Sequence, residues 1–317
     1  MLRKFGLVLG TVMAISAVFS SAVALAADEK IAISFHNLSQ AYVAFMNRAA
    51  AAAAKDLGVN LMVMDAQGSS PKQSSDLANA LVQGAQGIVI FPNDAKAVSS
   101  AIDDVMAENI PIVSVDTRIV GTAKPVPYVT ADNVAGGRKM AEWVIRNYPD
   151  GARIVHLTGT PGMGSAIDRA KGVRDGLAAS GAKYVIIGEQ TANWMRAEGL
   201  SVTESILTAN TANPPNVIVA DNDDMALGAL EAINTVGLRN AGIKVIGFDA
   251  VPEALRMIRS GEMAASVEQS PSNQIRAALQ TVVENVRNGK EIKPVSIEPF
   301  LITKDNLDRA DRYAEMN

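Results

Sequence analysis

The sequence predicts an α/β chain made of two similar three-layer units, and three observations carry that prediction. Short apolar runs alternate with helical segments from residue 31 onward. The pattern of the first half returns in the second at offsets of 129 and 133 residues. In each half an aspartate, Asp116 or Asp249, stands one residue beyond an apolar run.

Residues 31–35, 61–64, 87–91 and 112–115 form the first set of runs, and 154–158, 184–187, 217–220 and 244–248 the second. Such short, largely apolar runs mark strands buried on both faces of a parallel sheet. The intervening segments have helical length and composition, which places helices on both sides of each sheet. Residues 41–57 carry six successive alanines, Ala49 to Ala54, and stop at Gly58, a high-propensity run ended by a helix-terminating glycine. Residues 224–236 stop at Gly237 in the same way. The echo between the halves is close: IVIFPND at 88–94 returns as VIVADND at 217–223, and IPIVSVD at 110–116 as IKVIGFD at 243–249. Polar groups at the carboxyl ends of such strands are where open α/β sheets bind ligands. An aspartate there can equally cap the following turn, so it is the symmetric pair that points to a shared cleft.

Composition excludes several classes of protein. With 317 residues, 48% hydrophobic and 20% charged, the chain has enough apolar content for two domains and is not a disordered polymer. A formal charge of −4 and a pI near 5.4 argue against the basic field of a nucleic-acid-binding face. Cysteine is absent and His36 and His156 are the only histidines, which removes disulfides, thiolate sites and a histidine-rich metal centre. No metal and no cofactor is expected. Asp305, Asp308 and Asp311 lack the oxygen spacing and glycine of a calcium loop and read as a solvated helix face. Arg3 and Lys4, the mostly apolar residues 5–19 and the small residues Ala24 and Ala26 have the order of a secretory signal peptide, with cleavage expected after Ala26. The apolar stretch, broken by Gly6, Gly10 and Ser16, falls short of the ~20 residues a membrane span needs. Losing Arg3 and Lys4 takes the charge from −4 to −6. A free soluble protein in a periplasm is expected.

Four stretches taken together, DNDDMALGA at 221–229, VIGFD at 245–249, ADNVAGG at 131–137 and the leader, resemble the periplasmic sugar-binding proteins of ABC transporters, of the ribose-binding type. The resemblance covers essentially the whole mature chain. It implies the type I periplasmic binding protein fold: two Rossmann-like three-layer domains joined by a three-segment hinge, with crossings near Thr130, Gln269 and Glu298. The expected division is 1–26 for the signal peptide, 27–130 plus 270–297 for the N-terminal domain, and 131–269 plus 298–317 for the C-terminal domain. It further implies a non-catalytic protein whose hinge closes over one monosaccharide, a motion known for this family. The implied partners are a small neutral sugar or cyclitol and an inner-membrane ABC permease, with a chemotaxis or signalling receptor as the alternative. A monomer is expected.

By the same resemblance Asp116, Asn222, Asp249 and Gln269 fall on hydroxyl-binding positions, His36 and Gln40 on first-strand contacts, and Tyr42 and Trp194 on stacking positions. The chemistry suits a neutral polyol, since carboxylates accept from hydroxyls, amides donate and accept, and aromatic faces cover C–H surface. Trp143, on the helix after Asp132, reads as core. The sequence also departs from the pattern: ribose-type binders carry arginine where Thr117 and Ile167 stand, and a second aromatic where Val43 stands. Arg118 is the expected replacement donor and Arg169 the other candidate, although each reads equally well as a solvated surface charge. A site that loses donors and keeps acceptors turns away from ribose, because unpaired buried polar groups are costly. Another pentose or hexose, or a cyclic polyol such as an inositol, fits as well. The turn TGTPGMG at 158–164 follows a strand and precedes a helix, like a dinucleotide-binding turn. It is one residue short of the short-chain dehydrogenase spacing, and no tyrosine is followed four residues later by lysine. An NAD-dependent oxidoreductase is therefore the distant alternative. A sugar-responsive repressor would carry a DNA-binding helix-turn-helix ahead of the first strand, where only the leader stands.

Overall fold

The computed structural model describes residues 29–316, and the expected signal peptide lies outside them. The strands are β1 (Lys30–Phe35), β2 (Asn60–Asp65), β3 (Gly87–Ile90), β4 (Ile112–Val115), β5 (Tyr128–Ala131), β6 (Ala152–Thr158), β7 (Tyr184–Thr191), β8 (Val217–Ala220), β9 (Lys244–Phe248), β10 (Ala265–Glu268), β11 (Val295–Ile297) and β12 (Phe300–Ile302). The helices are α1 (Ala41–Leu57), α2 (Ser70–Val82), α3 (Ser99–Ala107), α4 (Asn133–Asn147), α5 (Gly164–Ala179), α6 (Arg196–Ala209), α7 (Asp223–Thr235), α8 (Pro252–Ser260) and α9 (Pro271–Asn288). All eight strands expected from the apolar runs are present. Helix α1 ends as expected at Gly58, which takes the left-handed φ of 67° that closes a helix.

The strands form two six-stranded sheets, ordered β11-β5-β4-β3-β1-β2 and β12-β10-β9-β8-β6-β7. The chain leaves the first sheet after β5, returns after β10, and crosses again between β11 and β12. In sheet topology, expectation and structure differ in that the second sheet is not wholly parallel, because β12 runs antiparallel to β10. The reason is geometric. Strand β11 lies parallel to β5 and therefore ends at the carboxyl edge of the first sheet. Only residues 298 and 299 separate it from β12, so β12 enters the second sheet at that sheet's own carboxyl edge and runs backwards.

The central strands β3, β4, β8 and β10 are buried along their whole lengths, as strands covered on both faces require. Trp143 is buried in the core with Phe248 and Ile246, as read from the sequence. Asp311 is not part of a solvated face. Its carboxylate accepts hydrogen bonds from the backbone N–H of Ser272 at 2.8 Å and its hydroxyl at 2.6 Å, tying the last segment to the start of α9.

Two helix pairs, α4 with α5 and α6 with α7, cross with their backbones in contact. A Cβ on Gly172 of α5 would fall on the carbonyl oxygen of Val134 and 2.9 Å from the amide nitrogen of Arg138, both in α4. Gly228 of α7 meets the backbone of α6 in the same way. The α4/α5 crossing fixes α5 one turn beyond Arg169, a residue the cleft depends on. Gly172→Ala is therefore expected to lower stability by about 1–3 kcal/mol through backbone overpacking. Gly164→Ala, at a position with nothing within 4 Å of the new methyl, should be neutral or gain up to about 1 kcal/mol. Denaturant unfolding of both variants checks this, and equal stability would show that the crossing has slack.

Candidate ligand-binding cleft

In each sheet the strand order reverses once, between β1 and β3 and between β6 and β8, the place where doubly wound sheets bind ligands. The carboxyl edges of the two sheets face each other there around a cavity of about 500 Å³. His36, Gln40 and Tyr42 follow β1, Phe91 follows β3 and Asp116 follows β4; together they form one wall. The opposite wall takes Met163, Ser165 and Arg169 from beyond β6, Trp194 from beyond β7, Asn222 and Asp224 from beyond β8, Asp249 from beyond β9 and Gln269 from beyond β10.

Eight of the nine residues chosen from the sequence thus meet in one cavity, and Arg118 does not. Its guanidinium is exposed at the mouth and pairs with Asp168 of α5 across the cleft, so its charge is already satisfied outside. Arg169, for which a surface reading stood open, is only 3% exposed and lies in the cavity wall. Its Nε donates to Asn133 Oδ1 at 2.8 Å and its Nη1 to the Asp221 carbonyl at 2.6 Å, with Asp249 Oδ1 at 3.5 Å. The guanidinium is stacked 3.7 Å from the centre of the Phe248 ring, and Gly136 leaves the room that ring occupies, since a Cβ there would stand 2.5 Å from it.

Both cleft aspartates occupy left-handed backbone, Asp116 at φ 65° and Asp249 at φ 103°. Aspartate is among the few side chains that tolerate this region. Each turn is pinned to the neighbouring strand: Asp116 donates its N–H to Val129 O and Asp249 donates to Val267 O, both at 2.8 Å. Tyr42 Oη donates to Asp116 Oδ1 at 3.1 Å and Gln269 Nε2 to Asp249 Oδ1 at 2.6 Å. Burial pushes the Asp116 carboxyl up, against Arg169 and the hydroxyls of Tyr42 and Thr117. Burial pushes Asp249 up to about 7, opposed by Arg169 and reinforced by Asp116 and Asp224. His36 is held down to about 4 by burial, so near neutral pH it is an uncharged donor and acceptor.

Trp194 and Asn193 form consecutive left-handed residues, φ 65° and 49°, strain of the kind found where a side chain is presented to a ligand. Asn222 holds the turn by donating Nδ2 to Trp194 O at 3.2 Å, while its Oδ1 caps α7. The indole lies directly on Gly159, where any Cβ would overlap it. On the first wall Val43 is buried in the core, and Phe91 supplies the further aromatic surface, 4.5 Å from the His36 ring centre. Sequence reasoning passed over Phe91, Met163, Ser165 and Asp224. Phe91 was the findable one, as the last residue of an apolar run whose carboxyl end faces the cleft.

Residues 31–291 match the family described as periplasmic binding protein domain, and the chain belongs to that family. Its place within it is among the sugar-binding proteins of ABC transporters, which are solute-binding proteins of the periplasm and not enzymes. It is 32% identical over 269 residues to the ribose import binding protein of Salmonella typhimurium, an alignment covering 84% of this chain and 88% of that protein. The Caulobacter myo-inositol binding protein, solved with myo-inositol bound, is 50% identical with a TM-score of 0.88, covering 91% of this chain and 98% of that one. A periplasmic solute-binding protein of Actinobacillus succinogenes solved with D-allose is 27% identical with a TM-score of 0.82, covering 87% and 98%. Among the described residues no group of acids and histidines is placed to hold a metal ion, and no helix is long and apolar enough to cross a membrane.

The buried titrating groups set the pH dependence of the unliganded fold. Asp249 and Glu268, both raised by burial to about 7, destabilise the native state increasingly as pH rises from the unfolded carboxylate range near 4; the penalty is complete above about 7 and disappears only below about 4. His156 is held up to about 9; its stabilisation is complete below the unfolded value near 6.5 and is lost as pH rises through 9. His36, depressed to about 4, works in the other direction, and stability is lost as pH falls from about 6.5 to about 4. His36 and the two carboxyls oppose each other below about pH 6.5, whereas the carboxyls and His156 act together above about pH 6. The melting temperature should therefore fall from about pH 6 to about pH 9, and a higher melting temperature at pH 9 than at pH 6 would contradict these assignments.

Proposed function

We propose that this protein captures one small neutral cyclic polyol, with myo-inositol the foremost candidate, and delivers it to an inner-membrane ABC permease. In this reading residues 27–130 with 270–297 and residues 131–269 with 298–317 are two domains that close about the three crossings. The chain matures by loss of residues 1–26 and works in the periplasm as a monomer. The observation that carries the reading is the pairing of Asp116 and Asp249, one on each wall, with the Arg169 guanidinium beside them. Carboxylates accept two hydroxyl hydrogen bonds each, and Arg169 returns donors to the site that Thr117 and Ile167 do not supply.

The remaining polar groups complete the set. Asn222 and Gln269 offer amides, and neutral His36 both donates and accepts. Trp194 and Phe91 cover the C–H surface of a ring. A ligand held by Asp116 on one wall and by Asp249 and Asn222 on the other bridges the cleft and so favours the closed state. Identity of 50% to a protein whose structure contains myo-inositol supports the choice of a cyclitol over ribose.

Titration calorimetry against myo-inositol, ribose, allose and galactose tests the reading. The expected order places myo-inositol tightest and ribose at least tenfold weaker, a gap of about 1.4 kcal/mol. Asp116→Ala and Asp249→Ala should each weaken myo-inositol binding about ten- to a hundredfold while leaving the unliganded fold intact by circular dichroism. Ribose as the tightest ligand, or both variants binding every polyol like the parent, would overturn the assignment.

A further inference from the structure

Behind the second wall of the cleft runs a chain of polar side chains that line no part of the cavity. His156, near the carboxyl end of β6, is fully buried. Its Nδ1 lies 3.0 Å from Glu189 Oε2 on β7, and its Nε2 lies 2.9 Å from Asp221 Oδ1 just beyond β8. Glu189 reaches it because the register of β6 on β7 slips between Ile154 and Val155, which sets His156 opposite Glu189. With a carboxylate oxygen at each ring nitrogen, both nitrogens must donate, and that requires a protonated ring. Burial alone would lower its pKa, but Asp221 and Glu189 outweigh burial and hold it up to about 9.

The two carboxylates pass the connection on in opposite directions. Glu189 Oε1 accepts from Arg174 Nη1 of α5 at 2.5 Å, at the surface. Asp221 Oδ2 accepts from the Gly159 N–H at 3.3 Å, and the Asp221 carbonyl accepts from Arg169 Nη1. Gly159 is the platform on which the Trp194 indole rests, and Asn222 is the next residue after Asp221. One buried ring thus ties together the ends of the three strands that present Trp194, Asn222 and Arg169.

We infer that His156 is a positioning residue of the ligand site, clamping the ends of β6, β7 and β8 so that Trp194, Asn222 and Arg169 keep their mutual geometry. The inference rests on the ligand-binding reading above and extends it to a residue the ligand does not touch. Charged groups facing the clamp are Glu189 from β7, Asp221 from β8, and Arg169 and Arg174 from α5. When the ring loses its proton one nitrogen turns acceptor against a carboxylate, and the clamp opens. Tyr42 in the cleft is held well above 10 by burial and stays protonated over that range.

The test follows two signals from about pH 8, above the titration of Asp249, to about pH 10 in a Trp143→Phe background, where Trp194 is the one remaining tryptophan: myo-inositol affinity, and Trp194 emission of the unliganded protein. Both should change along a common alkaline limb, affinity falling about tenfold, the effect of one charged hydrogen bond. Glu189→Gln, on an edge strand and partly exposed, removes one of the two charges that hold the proton. It should move both limbs to lower pH by about one unit. His156→Gln should weaken binding about tenfold at pH 7 and abolish the limb; if it does not fold, the Glu189→Gln titration decides alone. Limbs that are absent in the parent, or unmoved by Glu189→Gln, overturn the clamp. A parent that binds no polyol, yet shows a Trp194 limb that Glu189→Gln moves, supports the clamp and overturns the ligand reading instead.

Discussion

A guanidinium buried between carboxylates constrains everything around it. Removing Arg169 from water is costly, and the cost is offset only when its donors find acceptors and its face finds a ring. Asn133, the Asp221 carbonyl and Asp249 accept from it, and Phe248 stacks beneath it. Each partner brings its own requirement. The Phe248 ring needs Gly136, and α5 reaches the cleft only because Gly172 lets it press against α4. Asn133 in turn donates to Thr130 Oγ1, whose hydroxyl donates to the Asp116 carbonyl. Arg169 on one wall and Asp116 on the other are therefore joined through the first crossing between the sheets.

The second crossing is built in the same spirit. Glu268 is fully buried at the end of β10, accepting the N–H of Ser270 at 2.6 Å and of Asp311 at 2.9 Å. Gln269, the next residue, donates to Asp249 and accepts from Gln274 of α9. Polar side chains at the crossings thus serve two ends at once, fixing the path between the sheets and aiming a donor or acceptor at the cavity. At these two crossings a change of angle between the sheets passes through residues that touch the cleft aspartates, which is a physical basis for coupling closure to ligand.

The fold was readable because strand runs and the half-to-half echo are repeated signals, each supporting the next. Asp116 and Asp249 were readable for the same reason: symmetric placement marks the two left-handed turns that structure assigns to them. What escaped lay where local sequence carries no such repetition. Strand β10 ends in a glutamate, and β11 and β12 are three residues long, too short for periodicity to show. Arg118 and Arg169 looked alike in sequence; only α5 packing on α4, and the Asp168 carboxylate across the mouth, send one into the cleft and hold the other outside. The two carboxylates on His156 are 33 and 65 positions away, and no local pattern announces that they converge.

Ionised carboxylates balanced by Arg169 and neutralised by hydroxyls of an uncharged ligand are the centre of this account, and proton exchange on binding reports on them directly. Asp249, held at about 7 without ligand, must favour its charged form once hydroxyls donate to it. Calorimetric titration with myo-inositol near pH 7, repeated in buffers of different ionisation enthalpy, measures the protons released. The account predicts release of a fraction of a proton that disappears in Asp249→Asn. Binding with no proton release, or with net uptake, would contradict it.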